Sequence, residues 1–178
     1  MTTTQTTIEV ERLGRFLGAQ VNGIDLRGDL SPATVAEIEG LLLDYKVLFF
    51  PGQDLDSDSQ VRFARRFGEL TSAHPVVPPV DAKHPEIWQI EAIEGVRNDL
   101  WHTDVTFVAH PPLGSVLRAI NVPDVGGDTN WGDLEAAYES LSPAVRTLVD
   151  GLTAMHDGSR EFGAIMAGRQ GRGNVWDG

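Results

Sequence analysis

Ser115-Val-Leu-Arg-Ala-Ile-Asn-Val122, with Ile87-Trp-Gln-Ile90 and Asp104-Val-Thr-Phe-Val108 ahead of it, sets the expected fold. Each run is short, rich in β-branched and aromatic residues, and followed by turn formers. Pro111-Pro112, Pro123-Asp124 and Gly126-Gly127 provide the breaks. Strands that come in runs, rather than alternating with helices, favour an antiparallel sandwich or jelly roll over a βαβ fold.

Upstream of these runs the pattern turns helical. Ser31-Pro32 reads as an N-cap with proline at the first helical position, followed by Val35, Ile38, Leu41 and Leu42 at helical spacing, which predicts a helix over 32–44. Val47-Leu-Phe-Phe50 before Pro51-Gly52 predicts a buried strand. Asp56 or Ser57 can cap a further helix with Val61, Ala64 and Phe67 on one side, ending at Gly68. Two short helices are expected downstream, one over 133–141 and one opened by Ser142-Pro143 with Val145, Leu148 and Val149 inward. The expected class is mainly β with flanking helices (α+β).

Residues 163–178 are glycine-rich and read as a connecting loop. With three or four core strands placed before it, the expectation is one domain over 1–178 that is incomplete at its C-terminus. A sheet with open edges invites self-association, so a homo-oligomer is expected.

Composition narrows the function. The chain has 178 residues, 41% of them hydrophobic and 22% charged, which is ordinary for a globular domain. Twenty-six acidic against fourteen basic residues give a net charge of −12, which disfavours nucleic acid and anionic membrane surfaces as partners. A small anionic substrate stays compatible, because a few local donors outweigh a distant field screened over roughly 8 Å. There is no cysteine, so disulfides, iron–sulfur clusters and thiol nucleophiles are excluded and any metal must be held by nitrogen and oxygen. No run approaches the roughly 20 apolar residues of a membrane span, and the N-terminus has no basic start, so a cytoplasmic protein is expected.

His102 and Asp104 are the residues that suggest chemistry. On a strand, residues i and i+2 share a face, so an imidazole and a carboxylate project together. Two such donors are part of the two-His-one-carboxylate set that holds Fe(II) on one face and leaves positions open. A His-x-Asp triplet alone is weak, since roughly 0.4 are expected by chance in a chain of this composition. Capped-turn or surface polar residues are the alternative reading, and His84-Pro85-Glu86 offers a second, less strand-like pair.

The surroundings of the triplet are more specific. Trp101-His-Thr-Asp-Val-Thr-Phe107 resembles the iron-binding segment of the taurine dioxygenase family (TauD/TfdA), Fe(II)/2-oxoglutarate oxygenases built on a double-stranded β-helix jelly roll. Gly14-Arg-Phe-Leu-Gly-Ala-Gln-Val-Asn-Gly-Ile-Asp-Leu26 resembles the family's N-terminal signature, and Arg66-Phe-Gly-Glu-Leu70 with His74-Pro75 its next block. Gly126-Gly-Asp-Thr-Asn-Trp131 resembles the co-substrate segment. Ala136-Ala-Tyr138, Leu141-Ser142, Gly151-Leu152, Ala154 and His156-Asp157 continue the order.

The resemblance implies Fe(II) as cofactor and 2-oxoglutarate and O2 as co-substrates. It implies hydroxylation of the carbon next to the sulfonate or sulfate ester of a small anionic organosulfur compound, releasing sulfite or sulfate and an aldehyde. His102 and Asp104 fall on iron ligands, and Thr129 on the hydroxyl that bonds the distal carboxylate of 2-oxoglutarate. His74 and Asn98 fall on substrate contacts, and Phe162 on the pocket wall. Simpler roles stay open: Thr129 satisfying its Gly-Gly-Asp turn, His74 as a surface turn residue, Asn98 as a cap, Phe162 as core. Trp101 and Trp131 read as core.

The sequence also departs from the family. Val77 stands where a tyrosine lies near the taurine amine, and Arg97 where an acidic residue precedes the Asn. Both changes disfavour a cationic amine. The family's third iron ligand is a distal His, followed by arginines for the two anions, in a region this sequence does not reach. His156, Arg160, Arg169 and Arg172 match upstream of that region and take none of those roles. Two ligands hold Fe(II) weakly, so a non-catalytic binding domain with an incomplete metal site is the alternative for this chain, and a hydrolytic zinc site a third reading without family context.

Overall fold

In a computed structural model, residues 7–71, 79–90 and 100–159 are described. They fall into two compact units, one holding the residues up to Phe67 with Leu117–Leu152, the other Gly68–Val116 with the residues from Thr153 onward.

The first unit opens with β1 (Glu9–Arg12) and β2 (Ala19–Asn22), antiparallel, with Glu9 opposite Asn22 and Arg12 opposite Ala19. Ala19 and Val21 are fully buried and Gln20 and Asn22 half-buried, the alternation of a strand with one covered face. Gly23, just past β2, has φ 76, and a Cβ there would run into the Thr7 carbonyl oxygen, so the turn requires glycine.

Helix α1 (Pro32–Tyr45) matches the expected 32–44. Ser31 Oγ accepts the Thr34 N–H at 3.1 Å, satisfying one of the first-turn donors. Ser31→Ala should lower stability by about 1 kcal/mol in a urea titration, with Ser31→Asp close to wild type. The helix stops at Lys46, which takes φ 64 and returns its N–H to Leu42 O, while its ammonium meets Glu135 at 2.7 Å.

Strand β3 (Leu48–Phe49) then pairs parallel with β2, Ala19 opposite Leu48. The β2–α1–β3 segment is thus a parallel crossover through a helix, a local βαβ connection that the sequence reading did not include. The strand predicted over 47–50 exists in shortened form, and it is part-exposed rather than buried.

Helix α2 (Ser57–Ala64) begins with a capping box. Asp56 Oδ1 accepts the Ser59 N–H at 2.8 Å, and Ser59 Oγ accepts the Asp56 N–H at 2.9 Å. It buries Val61 and Phe63 rather than the expected Val61, Ala64 and Phe67, and it ends before Gly68. Phe67 lies beyond the helix, its ring edge-on to Phe63 at 5.1 Å. Helix α3 (Leu134–Glu139) lies within the expected 133–141 and is capped by Asp133, and α4 (Pro143–Val149) starts at the expected Ser142. The expected inward face of α4 is not found, since Val145 and Leu148 are exposed.

Among the described residues the buried apolar ones, Ala19, Val21, Ile24, Leu26, Val35, Ile38, Val61 and Phe63, all come from 19–63. Gln53 ties this region together, donating to Ile24 O at 2.9 Å and accepting from Leu26 N at 3.0 Å. Beside it, Arg27 pairs with Asp25 at 2.8 Å. The Arg27 guanidinium and N–H hold the Asp25 carboxyl down at about 2. A depressed carboxyl stabilises above its ordinary value, and the contribution is lost as pH falls through about 2. NMR titration should therefore place the Asp25 midpoint near 2 and show it rising in Arg27→Ala.

The three runs that shaped the sequence reading are not strands. Residues 115–122 have no ladder partner among the described residues, and Leu117, Ile120 and Val122 are exposed. Asp104–Phe107 is a turn, and 87–90 contributes a single bridge, Pro79 to Trp88. A β-prone composition makes a segment capable of being a strand, but a strand forms only against a partner. The described structure is a three-stranded sheet, order β1-β2-β3, with four helices. Among the described residues, no helix is long and apolar enough to cross a membrane.

Candidate metal centre

His102 and Asp104 lie in the second unit. Their side chains meet, His102 Nε2 to Asp104 Oδ1 at 3.2 Å, with 49% and 72% of each side chain exposed. The pair is therefore open to a ligand from solution. The other ring nitrogen, Nδ1, lies 2.8 Å from the Leu100 carbonyl oxygen. A carbonyl can only accept, so Nδ1 carries the proton, and in the neutral ring Nε2 presents its lone pair toward the carboxylate. Two acceptors facing each other at this distance are reconciled by a cation between them or by a second ring proton.

The donor set fits a divalent metal. Nitrogen and oxygen ligands about 2.1 Å from one ion and at right angles stand about 3.0 Å apart, close to the observed separation. A ring nitrogen anchored to a backbone carbonyl is also the usual outer-shell arrangement of a metal-binding histidine. The pair is nevertheless two donors. Among the described residues, no group of three or more His, Asp or Glu could hold a metal ion.

The strand expected to carry this pair is replaced by a turn. Val105 takes φ 55, a conformation disfavoured for a β-branched residue that costs of order 1–3 kcal/mol. The backbone bond across the turn, Val108 N–H to Val105 O, is long at 3.4 Å. Two contacts from residues 156–158 reach the same turn: His156 Nδ1 lies 2.7 Å from Thr106 Oγ1, and the Phe107 ring covers Gly158. Sequence reading missed both, because Val-Thr-Phe is β-prone and no local signal links residues fifty apart.

In the second pair from the sequence, His84-Pro85-Glu86, the histidine is engaged by Asp81. His84 is buried and its Nδ1 meets both carboxylate oxygens of Asp81 at 3.0 Å, while Asp81 also accepts the N–H groups of Lys83 and His84. That is a structural turn, and His84 holds the Asp81 carboxyl below its ordinary value. Thr129 belongs to the first unit, exposed in the loop after Gly126 and Gly127, which take φ 82 and 74. Trp101 and Trp131, expected in the core, are exposed, Trp131 with its ring edge-on to Phe49 at 5.5 Å. His74, Asn98 and Phe162 lie outside the described residues, as do Val77 and Arg97.

Comparison with known proteins defines the class. The family described as Taurine catabolism dioxygenase TauD, TfdA family matches residues 9–175, and the chain belongs to it. A Pseudomonas putida protein named alpha-ketoglutarate-dependent sulfate ester dioxygenase is 40% identical over 89% of this chain and 52% of its own length. An alkylsulfatase of Acinetobacter baylyi is 38% identical over 88% of this chain and 49% of its own. The crystal structure of a taurine dioxygenase from Burkholderia xenovorans superposes with a TM-score of 0.73 at 44% identity, over 81% of this chain and 51% of that one. The chain spans about half the length of the curated relatives it matches.

Proposed function

We propose that this chain carries the Fe(II)-binding pair of a 2-oxoglutarate-dependent dioxygenase that oxidises the carbon bearing the sulfate ester or sulfonate of a small organic anion. The observation that carries this reading is the His102–Asp104 pair, with one ring nitrogen fixed on Leu100 and the other turned to the carboxylate. Bound Fe(II) would supply the site at which O2 and 2-oxoglutarate are activated for C–H oxidation. The products are succinate, CO2 and a hydroxylated carbon that collapses to an aldehyde with loss of sulfate or sulfite.

The chain's own residues have positioning roles. His102 and Asp104 would fix the metal on one face, and Thr129 would donate its hydroxyl to a carboxylate of 2-oxoglutarate. His74 and Asn98 would donate to the substrate's anionic head, with Phe162 on the wall. The jelly-roll fold belongs to this reading too. Similarity to a sulfate ester dioxygenase and an alkylsulfatase supports a sulfate ester as substrate. Val77 and Arg97, at positions where the family has a tyrosine and an acidic residue near the amine, support a substrate without a cationic amine. Succinate formation should therefore be at least roughly 10-fold more efficient with a simple alkyl sulfate than with taurine. Preference for taurine would overturn the substrate assignment.

A second reading rests on the two-donor count among the described residues: the chain alone is a binding domain with an incomplete metal site. Anaerobic titration with Fe(II) and 2-oxoglutarate separates the two. A visible charge-transfer absorption supports the dioxygenase reading, and its absence with both in excess supports the binding domain.

A further inference from the structure

We propose that His156 is a positioning residue for the metal pair. Through Thr106 it holds the Asp104–Phe107 turn in the shape that sets the Asp104 carboxylate against His102. This rests on the assignment of His102 and Asp104 as metal ligands.

Asp104 sits at the start of a turn whose next residue, Val105, is in the left-handed region at φ 55. A β-branched residue leaves that region unless its surroundings over-determine it. The long 3.4 Å bond from Val108 N–H to Val105 O is too weak to do so. The second unit adds two contacts directly after Val105. His156 Nδ1 and Thr106 Oγ1 form a short 2.7 Å hydrogen bond. At Phe107, a Cβ built on Gly158 would lie 2.8–2.9 Å from three ring carbons, so the ring rests on the glycine backbone at a distance no other residue permits.

The two contacts differ in kind and agree in effect. The hydrogen bond fixes the direction of the Thr106 side chain, and the Phe107–Gly158 contact fixes the height of the following residue. Together they define the chain path on the C-terminal side of Val105, while Leu100 fixes His102 on the other side through its carbonyl. The Thr106 hydroxyl can donate or accept, so either ring tautomer of His156 maintains the bond. Without it, Val105 relaxes toward extended backbone and the carboxylate of Asp104 turns away from the imidazole.

The test is metal affinity of the 178-residue chain, read by anaerobic Fe(II) titration in the presence of 2-oxoglutarate, with thermal unfolding recorded alongside. Loss of an outer-shell partner typically weakens metal binding by roughly 10–100-fold, and His156→Ala and Thr106→Val should each fall in that range. The double variant should lose no more than either single one, because both remove the same bond. His156→Asn, whose amide can occupy the place of Nδ1, should restore most of the affinity. The thermal midpoint should move little, since His156 is exposed. Wild-type affinity in His156→Ala, or additive losses in the double variant, overturns the proposal and leaves the metal assignment standing. A wild-type chain that binds no Fe(II), or binds it as well with His102→Ala, overturns both.

Discussion

His102→Ala should remove the Fe(II) binding proposed for the chain. Mutation of an outer-shell partner alone typically weakens a metal site by roughly 10–100-fold, and loss of one donor of a two-donor pair should exceed the upper end of that range. Among the described residues no third donor stands ready to compensate. Nε2 faces Asp104 at 3.2 Å because Nδ1 is held by Leu100, and truncation at Cβ leaves the carboxylate without a partner donor. Asp104→Asn is the informative companion. It keeps the shape and can donate its amide N–H to the Nε2 lone pair, so it should leave folding intact while metal affinity falls by a similar factor. Calorimetric or spectroscopic titration of the wild type and both variants checks this. Affinities equal within a factor of two would mean that the His–Asp contact is a surface hydrogen bond and nothing more.

How far the sequence disclosed this arrangement depends on whether each feature was local. The starts of α1, α2 and α4 were legible at Ser31-Pro32, Asp56 and Ser142-Pro143, because capping chemistry involves residues three apart. That the His102 and Asp104 side chains meet was anticipated from their two-residue spacing, although the strand geometry invoked for it was not the geometry observed. β1 and β2 escaped notice because Glu9-Val-Glu-Arg12 is exposed along its whole length and gains its structure by pairing across a turn. The opposite error arose at Ser115–Val122, where the composition is β-prone but no described segment pairs with it. Val105 misleads in the same way, a β-branched residue held in a turn by groups fifty residues later. Propensity describes what a segment can become, and the partner decides which form it takes.

Ile38→Ala should destabilise the first unit by roughly 2–5 kcal/mol, the usual cost of emptying a buried aliphatic site. Ile38 is 2% exposed on α1, the helix that joins β2 to β3. The described buried apolar residues number eight, all within 19–63. A core that small has few neighbours able to close over the void, which argues for the upper part of the range. Leu43 on the same helix is 70% exposed, so Leu43→Ala should stay within about 0.5 kcal/mol of wild type. The comparison matters because helix propensity is nearly the same for both changes, leaving burial as the difference. Urea unfolding followed by far-UV circular dichroism should show a large drop in midpoint for the first variant and almost none for the second. Since whole domains are stable by only about 5–15 kcal/mol, Ile38→Ala could leave a measurable unfolded fraction without denaturant. Equal midpoints for the two variants would show instead that α1 is held by its caps and by the Lys46–Glu135 contact, rather than by the face it turns to the sheet.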